Sequence, residues 1–428
     1  MQPIYLHTVF DSKDGKPLVT GIRNGEQYKL CQMWRSGTDK TLSQIYNTAN
    51  IIKRIIESAT PERPVILSGF EDYIKHFNVE VRPQPYHVYD WHLPDINTRN
   101  MSVEARNAAT MHILQHMTDS KPREYQKVLA NAAVVYRSME NTGLLLNDLP
   151  RVPEWSLKTA SGRSKSTGFN VQGLHEPLEI ANGSILGKSV LVNFDWISAD
   201  IRVASLLSGD MRLQEAFAYT DPYTFMMETL QYTNPVSRDE CKIALLRAIN
   251  SMDFSRLGIA YLFPQLYNWV NSCKLTLDNT GILESILGRK FSILRAKNKL
   301  AVLNGIMQGS VAHAMQASLH RIWSAFPKSI IAEIHDSLVL ATSPELVPAL
   351  IEAVTPILFR PFEGLLPDNP VFPIKVSIGN KWKQWRTIQI HRVSGVEHVR
   401  SVETAAEVMR EADAEEDQTA EEIKGTFV

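Results

Sequence analysis

The chain has 428 residues, of which 44% are hydrophobic and 21% are charged, and its net charge at pH 7 is −1. This length can bury a large core and form two or three domains. The three cysteines, Cys31, Cys241 and Cys273, form no closely spaced pair, which argues against a disulfide framework and a structural zinc site.

The sequence shows no membrane or export signal. No apolar run reaches the roughly 18 residues that a transmembrane helix needs, and the opening residues MQPIYLHTVFDSKDGKP lack the basic start and apolar centre of a signal peptide. We therefore expect a cytoplasmic protein without a membrane partner.

The N-terminal part has an α/β pattern. Its strand-like runs are KPLVTGI, RPVILSGF and YHVYDW, and one helical stretch, TLSQIYNTANIIKRIIESA, lies between the first two of them. We predict a small α/β domain over residues 1–122.

After residue 122 the pattern becomes mainly helical, starting with REYQKVLANAAVVYRSMEN and stopping near Gly143. Two strand-like stretches, SVLVNFDWI and SIIAEIHDSLVL, interrupt the helices. The chain ends in an acidic segment, with nine acidic residues against Arg410 and Lys424 after residue 402. We predict that residues 396–428 form a disordered tail, which either solubilises the protein or binds a partner.

The two strand-like stretches place carboxylates at strand ends. Asp195 lies at the end of the first strand, and His335 and Asp336 lie at or just beside the bend of what reads as a hairpin. On neighbouring strands, the two aspartates could bind two Mg²⁺ ions, which lie roughly 3.5–4 Å apart in phosphoryl-transfer sites. An aspartate at a strand end more often caps a helix or closes a turn, so spacing alone leaves both interpretations open.

Five blocks between residues 124 and 385 resemble the polymerase domain of family A DNA polymerases, the group of bacterial DNA polymerase I and many bacteriophage replicases. FDWISADIRVASLLSGD resembles the family's DYSQIELRVLAHLSGD, and IHDSLVL resembles VHDELVF. The other blocks, in the family's order, are TASGRSKSTGFNVQG, LGRKFSILRAKNKLAVLNGIMQGSVAHAM and VFPIKVSIGNKWKQW.

The resemblance implies an α+β right-hand fold over residues 123–395, with an antiparallel palm sheet, helical fingers and a much reduced thumb. The thumb is reduced because only a short segment separates Gly143 from Arg163, where the family inserts a long helical thumb. Since the thumb holds duplex DNA through phosphate contacts, its loss should weaken the salt-sensitive, sequence-independent part of DNA binding. We expect low processivity, or a protein partner that compensates.

The resemblance also implies roles for individual residues. Asp195 and Asp336 match the two catalytic, metal-binding aspartates, with the backbone carbonyl of Trp196 completing one shell and two Mg²⁺ ions as cofactors. His335 matches the histidine that supports the primer terminus. The other positions that match contacts to template-primer DNA are Arg163, Asn170, Gln172, Asn304 and Gln308.

The nucleotide-binding helix matches less closely. The family's pattern is Arg-x-x-x-Lys-x-x-x-aromatic-x-x-x-Tyr, and its lysine position is Arg247, followed by a matching Asn250. Lys242 lies near the arginine position. We interpret Arg247 and Lys242 as cations that bind the triphosphate; alternatively, both lie on a solvated helix face. Asp200 stands where the family has a glutamate that excludes a ribose 2′-hydroxyl.

Other positions depart from the family. The two ring positions fall on Ser251 and Ser255, although Phe254 or Tyr261 could substitute, and Ser337 replaces a glutamate that we expect to be dispensable. Arg202 follows the first motif as in the family, or forms a salt bridge inside the palm. These two roles stay open.

Residues 1–120 lack the DxE motif of a 3′–5′ exonuclease. We predict an inactive, exonuclease-like scaffold or docking domain; the alternative is a divergent nuclease that uses Asp11, Asp72 and Asp90.

The expected function is template-directed DNA polymerisation, with primer-template DNA and dNTPs as partners and a further protein that supplies processivity, proofreading or both. Compactness and divergence favour a bacteriophage, another virus or a mobile element as the source, and then the host cytoplasm as the location. The alternatives are a single-subunit RNA polymerase, a non-catalytic replication subunit with a decayed polymerase fold, and an HD-type metal phosphohydrolase, for which the further His and Asp ligands are not apparent.

Overall fold

The structure is a computed structural model with two compact units, Met1–Ser138 and Met139–Val428. The residues that it describes are 4–10, 17–24, 27–32, 42–61, 63–77, 79–80, 87–90, 105, 107–111, 124–184, 189–233, 235–294 and 296–399.

The first unit contains a five-stranded mixed sheet. Its strands are β1 (Ile4–Phe10), β2 (Pro17–Asn24), β3 (Gln27–Gln32), β4 (Val65–Leu67) and β5 (Val88–Asp90), in the order β3-β2-β1-β4-β5. The first three strands pair antiparallel, whereas β4 and β5 run parallel to β1. Helices α1 (Leu42–Glu57) and α2 (Phe70–Phe77) lie in this unit, and α3 (Glu124–Thr142) contains the dividing residue.

The second unit is built on a six-stranded antiparallel sheet with the order β14-β15-β11-β16-β17-β18. The strands are β11 (Val190–Trp196), β14 (Ile330–Ile334), β15 (Ser337–Thr342), β16 (Ile374–Gly379), β17 (Arg386–Arg392) and β18 (Gly395–His398). Five consecutive residues of β11 are buried, as expected for a central strand that is covered on both faces. Helix α11 (Val347–Phe359) contacts β11 and β16.

The remaining helices form an apolar core. Their bounds are α4 (Ala199–Ser208), α5 (Met211–Tyr219), α6 (Pro222–Leu230), α7 (Arg238–Ser251), α8 (Ile259–Leu262), α9 (Pro264–Thr280) and α10 (Lys299–Ala325). One cluster of buried residues joins Ile201 of α4 to Leu245 of α7, Val270 of α9 and Ile306 of α10. Because α4 starts just after β11, the strand end is fixed both by the sheet and by this helical core.

Short hairpins occupy the segment between α3 and β11. A three-stranded sheet contains β6 (Leu144–Leu146), β7 (Leu149–Arg151) and β10 (Ile180–Asn182), and β8 (Pro153–Ser156) pairs with β9 (Lys165–Gly168). Residues 143–163 are all described and contain no helix. A further two-stranded sheet joins β12 (Ile282–Glu284) and β13 (Lys290–Ser292).

Local signals set the ends of α7. Ser237 and Glu240 form a reciprocal capping box at its start. At its end Met252 adopts a left-handed conformation with φ of 54°, so Ser251 is the last helical residue. Ser255, the predicted tyrosine position, therefore lies outside the helix.

The chain thus combines helices with largely antiparallel sheets, which confirms the predicted mixture of α and β structure. Strand β18 ends at His398, so the first residues of the predicted disordered tail are ordered; the tail beyond Val399 lies outside the described residues. Among the described residues, no helix has both the length and the apolar character needed to cross a membrane.

Candidate active site

The six-stranded sheet positions Asp195 at the end of its central strand. In the pairing of β11 with its two neighbours, Asp195 lies opposite Ser337 of β15 and Lys375 of β16. Directly opposite residues project from the same face of a sheet. The Asp195 carboxylate, about one third exposed, therefore stands between a hydroxyl and an ammonium group.

The predicted hairpin is confirmed, and it brings Asp336 to the same end of β11. His335 and Asp336 form the two-residue turn between β14 and β15. The Trp196 N–H donates a hydrogen bond of 3.0 Å to the Asp336 carbonyl, so the turn is joined to the residue after Asp195. His335 has a φ of 60°, which a tight hairpin turn requires but a non-glycine residue seldom adopts.

Asp336 lies in an environment that disfavours its charge. Burial, and then the negative charges of Asp195 and Asp200, raise the pKa of Asp336 to about 6, against smaller opposing contributions from a backbone hydrogen bond and from Arg163. A divalent cation between Asp195 and Asp336 would offset the repulsion between their carboxylates.

These residues fit Mg²⁺, which is commonly held by one or two carboxylates together with water and substrate phosphates. Within the described ranges, no group of three or more His, Cys, Asp or Glu side chains is arranged to hold a metal. Asp195 and Asp336 would therefore supply the charged protein ligands, and the remaining positions would be open to substrate. Mg²⁺ suits these residues because all of the candidate donor atoms, including the Trp196 carbonyl, are oxygens.

Arg163, Asp200 and His335 interact beside the two aspartates. Arg163 Nη2 lies 3.7 Å from Asp200 Oδ1. Burial raises the pKa of Asp200, while the positive charges of Arg163 and His335 oppose this shift. Burial, and then the charge of Arg163, lower the pKa of His335 despite the opposing effect of Asp200. The pKa of His335 therefore lies below its ordinary value, and Arg163 is the cation paired with Asp200.

Trp196 and Arg202 anchor this end of the sheet. The Trp196 indole N–H donates to the Leu358 carbonyl at 2.9 Å, and its ring contacts Phe372. Buried Arg202 donates from Nε to the Val371 carbonyl at 2.8 Å and lies over the Phe217 ring. Among the described residues Arg202 has these partners rather than the salt bridge considered above.

Asn170 and Gln172, predicted DNA contacts, have structural partners. Asn170 Oδ1 accepts hydrogen bonds from Ser166 Oγ and from the Gly173 N–H. Gln172 Oε1 accepts from the Ser166 N–H at 2.9 Å, and its Nε2 donates to the Glu333 carbonyl at 3.0 Å. Gln172 therefore joins the β9 segment to β14, next to the hairpin turn, and its role as a DNA contact stays a prediction.

Of the predicted residues on α7 and α10, Asn250 and Asn304 contact each other across the two helices. Asn304 Nδ2 donates to the Asn250 carbonyl at 3.3 Å, and Gln308 lies one turn further along α10, partly exposed. Arg247, one turn before Asn250, pairs with Asp253 through Nε at 2.8 Å.

Lys242 is exposed. It lies five residues before Arg247, which places the two side chains about 140° apart around the helix. The structure therefore does not bring the two predicted phosphate-binding cations onto one face of α7.

The aromatic candidates of this region differ in their surroundings. Phe254 packs edge-on against Tyr267, with 5.2 Å between ring centroids, whereas Tyr261 is 87% exposed. Ser251 and Ser255 are exposed. Of these two candidate rings, Tyr261 is therefore the one with an exposed side chain.

In the first unit, Asp90 has a structural role. It is 3% exposed, and its carboxylate accepts hydrogen bonds from the Gly69 and Phe70 N–H groups at 2.7 and 2.9 Å, which caps the start of α2. Asp72 lies in the first turn of α2, and Asp11 is outside the described residues.

The sequence reasoning missed Lys375. Its Nζ lies 3.0 Å from Asp195 Oδ2. The only sequence signal was a lysine inside the apolar strand PIKVSIG, whose register with β11 could not be read from the sequence.

Comparison with known proteins reveals similarity in fold. No protein-family model matches the chain, and no curated protein matches its sequence. Among solved structures it is similar to the POL domain of Pol1 from M. smegmatis, determined in complex with DNA primer-template and dNTP, with a TM-score of 0.57 and 15% sequence identity. The similarity covers 89% of this chain and 95% of that chain. The chain therefore has the fold of a polymerase domain, as the sequence resemblance implied.

Proposed function

We propose that the chain is a template-directed DNA polymerase, in viral or mobile-element replication, that adds deoxynucleotides to a primer 3′ end. The observation that carries this proposal is the meeting of Asp195 and Asp336 at one end of the six-stranded sheet. The similarity in fold to a polymerase domain supports it. In this assignment the sheet is the palm, the helices α5 to α10 include the fingers, and the hairpins after Gly143 stand where a long thumb would be.

Asp195 and Asp336 would hold two Mg²⁺ ions, with the Trp196 carbonyl as a further ligand. The chemistry that such ions supply is activation of the primer 3′-hydroxyl and neutralisation of the departing pyrophosphate. The two carboxylates contribute the negative charge that makes this binding favourable. Trp196 and the hairpin turn keep them together through their backbone hydrogen bond.

The residues around the pair would position the substrates. His335 lies beside Asp336 in the hairpin turn and would contact the primer terminus. Arg163 holds Asp200 by charge, and Asp200 would occupy the space that a ribose 2′-hydroxyl needs. The remaining proposed DNA contacts are Asn170, Gln172, Asn304 and Gln308.

Arg247 and Asn250 would bind the nucleotide, and Lys242, about 140° away around α7, would contribute less. Arg247 lies one turn from Asn250, whose carbonyl contacts the α10 residue Asn304. The Arg247 guanidinium, paired with Asp253 in this structure, would exchange that carboxylate for triphosphate oxygens.

Primer extension by purified variants tests the proposal. Asp195→Ala and Asp336→Ala should each lose nearly all extension activity while circular dichroism shows an intact fold. Asp368→Ala, which removes an exposed carboxylate from a loop of the same unit, is the matched control and should retain activity. Full extension by the Asp195 variant would refute the assignment.

The same assay separates the alternatives. Preference for rNTPs over dNTPs would identify an RNA polymerase, and a wild-type chain that extends no primer with added Mg²⁺ would identify a non-catalytic subunit. We expect short products at physiological salt, because without a long thumb the protein makes few phosphate contacts to hold the duplex. Long products from the isolated chain would contradict low processivity.

A further inference from the structure

Lys375 forms an ion pair with one of the two aspartates. Its Nζ lies 3.0 Å from Asp195 Oδ2, and the two side chains are 41% and 32% exposed. The pair is built into the sheet, because Asp195 and Lys375 are directly opposite in the antiparallel pairing of β11 with β16. Backbone register therefore holds the lysine stem beside the carboxylate.

The ammonium group occupies one of the oxygens that a divalent cation would use. A cation that binds Asp195 at this oxygen must displace the Lys375 Nζ, and the displaced charge stays close because the stem begins on the neighbouring strand. Unlike a carboxylate or a carbonyl, an ammonium group has no lone pair to offer a metal. The Lys375 ammonium group can therefore only compete with the cation for the Asp195 carboxylate.

We propose that Lys375 is a positioning residue that occupies the Asp195 half of the cation site in the metal-free protein, so that a divalent cation binds there only by displacing its ammonium group. This inference rests on the proposed function, because it takes Asp195 as a cation ligand. Lys375 neutralises the Asp195 carboxylate before the cation arrives, at the expense of cation affinity.

The size of the effect follows from charge. Removing a unit positive charge about 5 Å from a divalent cation in a water-exposed site should tighten cation binding about tenfold. The long, flexible lysine stem allows the ammonium group to move away, so the wild-type site still binds the cation.

Mn²⁺ titration of the full chain, followed by electron paramagnetic resonance of the free ion, tests the inference. Lys375→Met, which keeps most of the stem and removes the charge, should bind Mn²⁺ about tenfold tighter than the wild type. Lys375→Arg restores the charge and should bind within about threefold of the wild type. Lys375→Gln serves as a second neutral variant if the Met variant does not fold.

Lys328→Met is the matched control. Lys328 is an exposed residue that precedes β14, whereas Asp336 follows this strand, so the lost charge is about 15 Å or more from the site. Its Mn²⁺ affinity should stay within about twofold of the wild type.

Asp195→Asn distinguishes failure of the proposed role of Lys375 from failure of the proposed function. If this variant loses Mn²⁺ binding while Lys375→Met binds no tighter than the wild type, the role of Lys375 is refuted and the cation site stands. If Asp195→Asn binds Mn²⁺ as well as the wild type does, Asp195 is not a ligand, and the proposed function fails together with the inference.

Discussion

Replacing Asp336 with asparagine should stabilise the metal-free protein at neutral pH while it removes catalysis. Asp336 is largely buried near Asp195 and Asp200, and this environment raises its pKa from 3.8 to about 6. Folding at neutral pH therefore forces an ionised carboxylate into a place that favours the neutral form. Asparagine has a similar shape and no charge.

The magnitude follows from the shift of about two pKa units. Each unit corresponds to about 1.4 kcal/mol, so the ionised Asp336 side chain costs the folded state about 3 kcal/mol at most. Because the folded-state pKa lies above the unfolded one, this cost is absent below about pH 4, grows as the pH rises, and is complete above about pH 6. Asp336→Asn should thus gain stability at pH 7.5 and very little at pH 4.

Urea unfolding with a chelator present, at both pH values, measures the effect. The matched control is Asp210→Asn, because the buried Asp210 carboxylate accepts hydrogen bonds from the Leu213 and Leu266 N–H groups at 2.9 and 3.0 Å. Its amide cannot accept both bonds, so this variant should lose about 1–2 kcal/mol. If Asp336→Asn is no more stable than the wild type at pH 7.5, the strained carboxylate pair is not present.

Four further variants probe other parts of the structure. Arg247→Ala should raise the KM for dNTPs at least about tenfold in steady-state extension, because it removes a charge-assisted contact. Lys242→Ala should raise this KM less, because Lys242 is about 140° away around α7. Equal effects would show that both residues bind the triphosphate. Gly309→Ala should lower the free energy of unfolding by about 1–3 kcal/mol in urea, because its Cβ would lie 2.9 Å from the Ser161 carbonyl oxygen, and a fully stable variant would contradict this packing. Asp90→Ala should destabilise the first unit by about 1–3 kcal/mol, because two N–H groups at the start of α2 lose their acceptor. Faster hydrogen exchange in α2 would show this loss. Unchanged exchange together with loss of a 3′–5′ exonuclease activity would instead favour the divergent nuclease.

The local surroundings of the two aspartates could be predicted from the sequence. The apolar arms on either side of His335 and Asp336 predict a hairpin, because two continuous apolar runs are typical of buried strands and leave the polar pair between them for the turn. Asp195 likewise follows a short, mainly apolar run that is typical of a buried strand. The motif resemblance then predicted a polymerase domain, and the similarity in fold agrees with it.

The region around α7 was less predictable. The family pattern assumes one continuous helix through both ring positions, but α7 ends at Ser251 where Met252 turns left-handed. A single residue's backbone conformation ends the helix, and no strong signal such as a glycine marks that position in the sequence. The family spacing therefore does not carry the ring positions over to Ser255.

The sequence by itself determined that charged residues stand at strand ends and turns. Apolar runs predict the strands, and the polar residues next to these runs predict the turns. Only the tertiary structure decided the partners of those charges: Lys375 for Asp195, Arg163 for Asp200, and the β14 backbone for Gln172. These contacts join residues far apart in the chain, and the register between β11 and β16 determines the first of them. A shift of that register by one residue would turn Lys375 to the opposite face of the sheet and leave the Asp195 carboxylate without it.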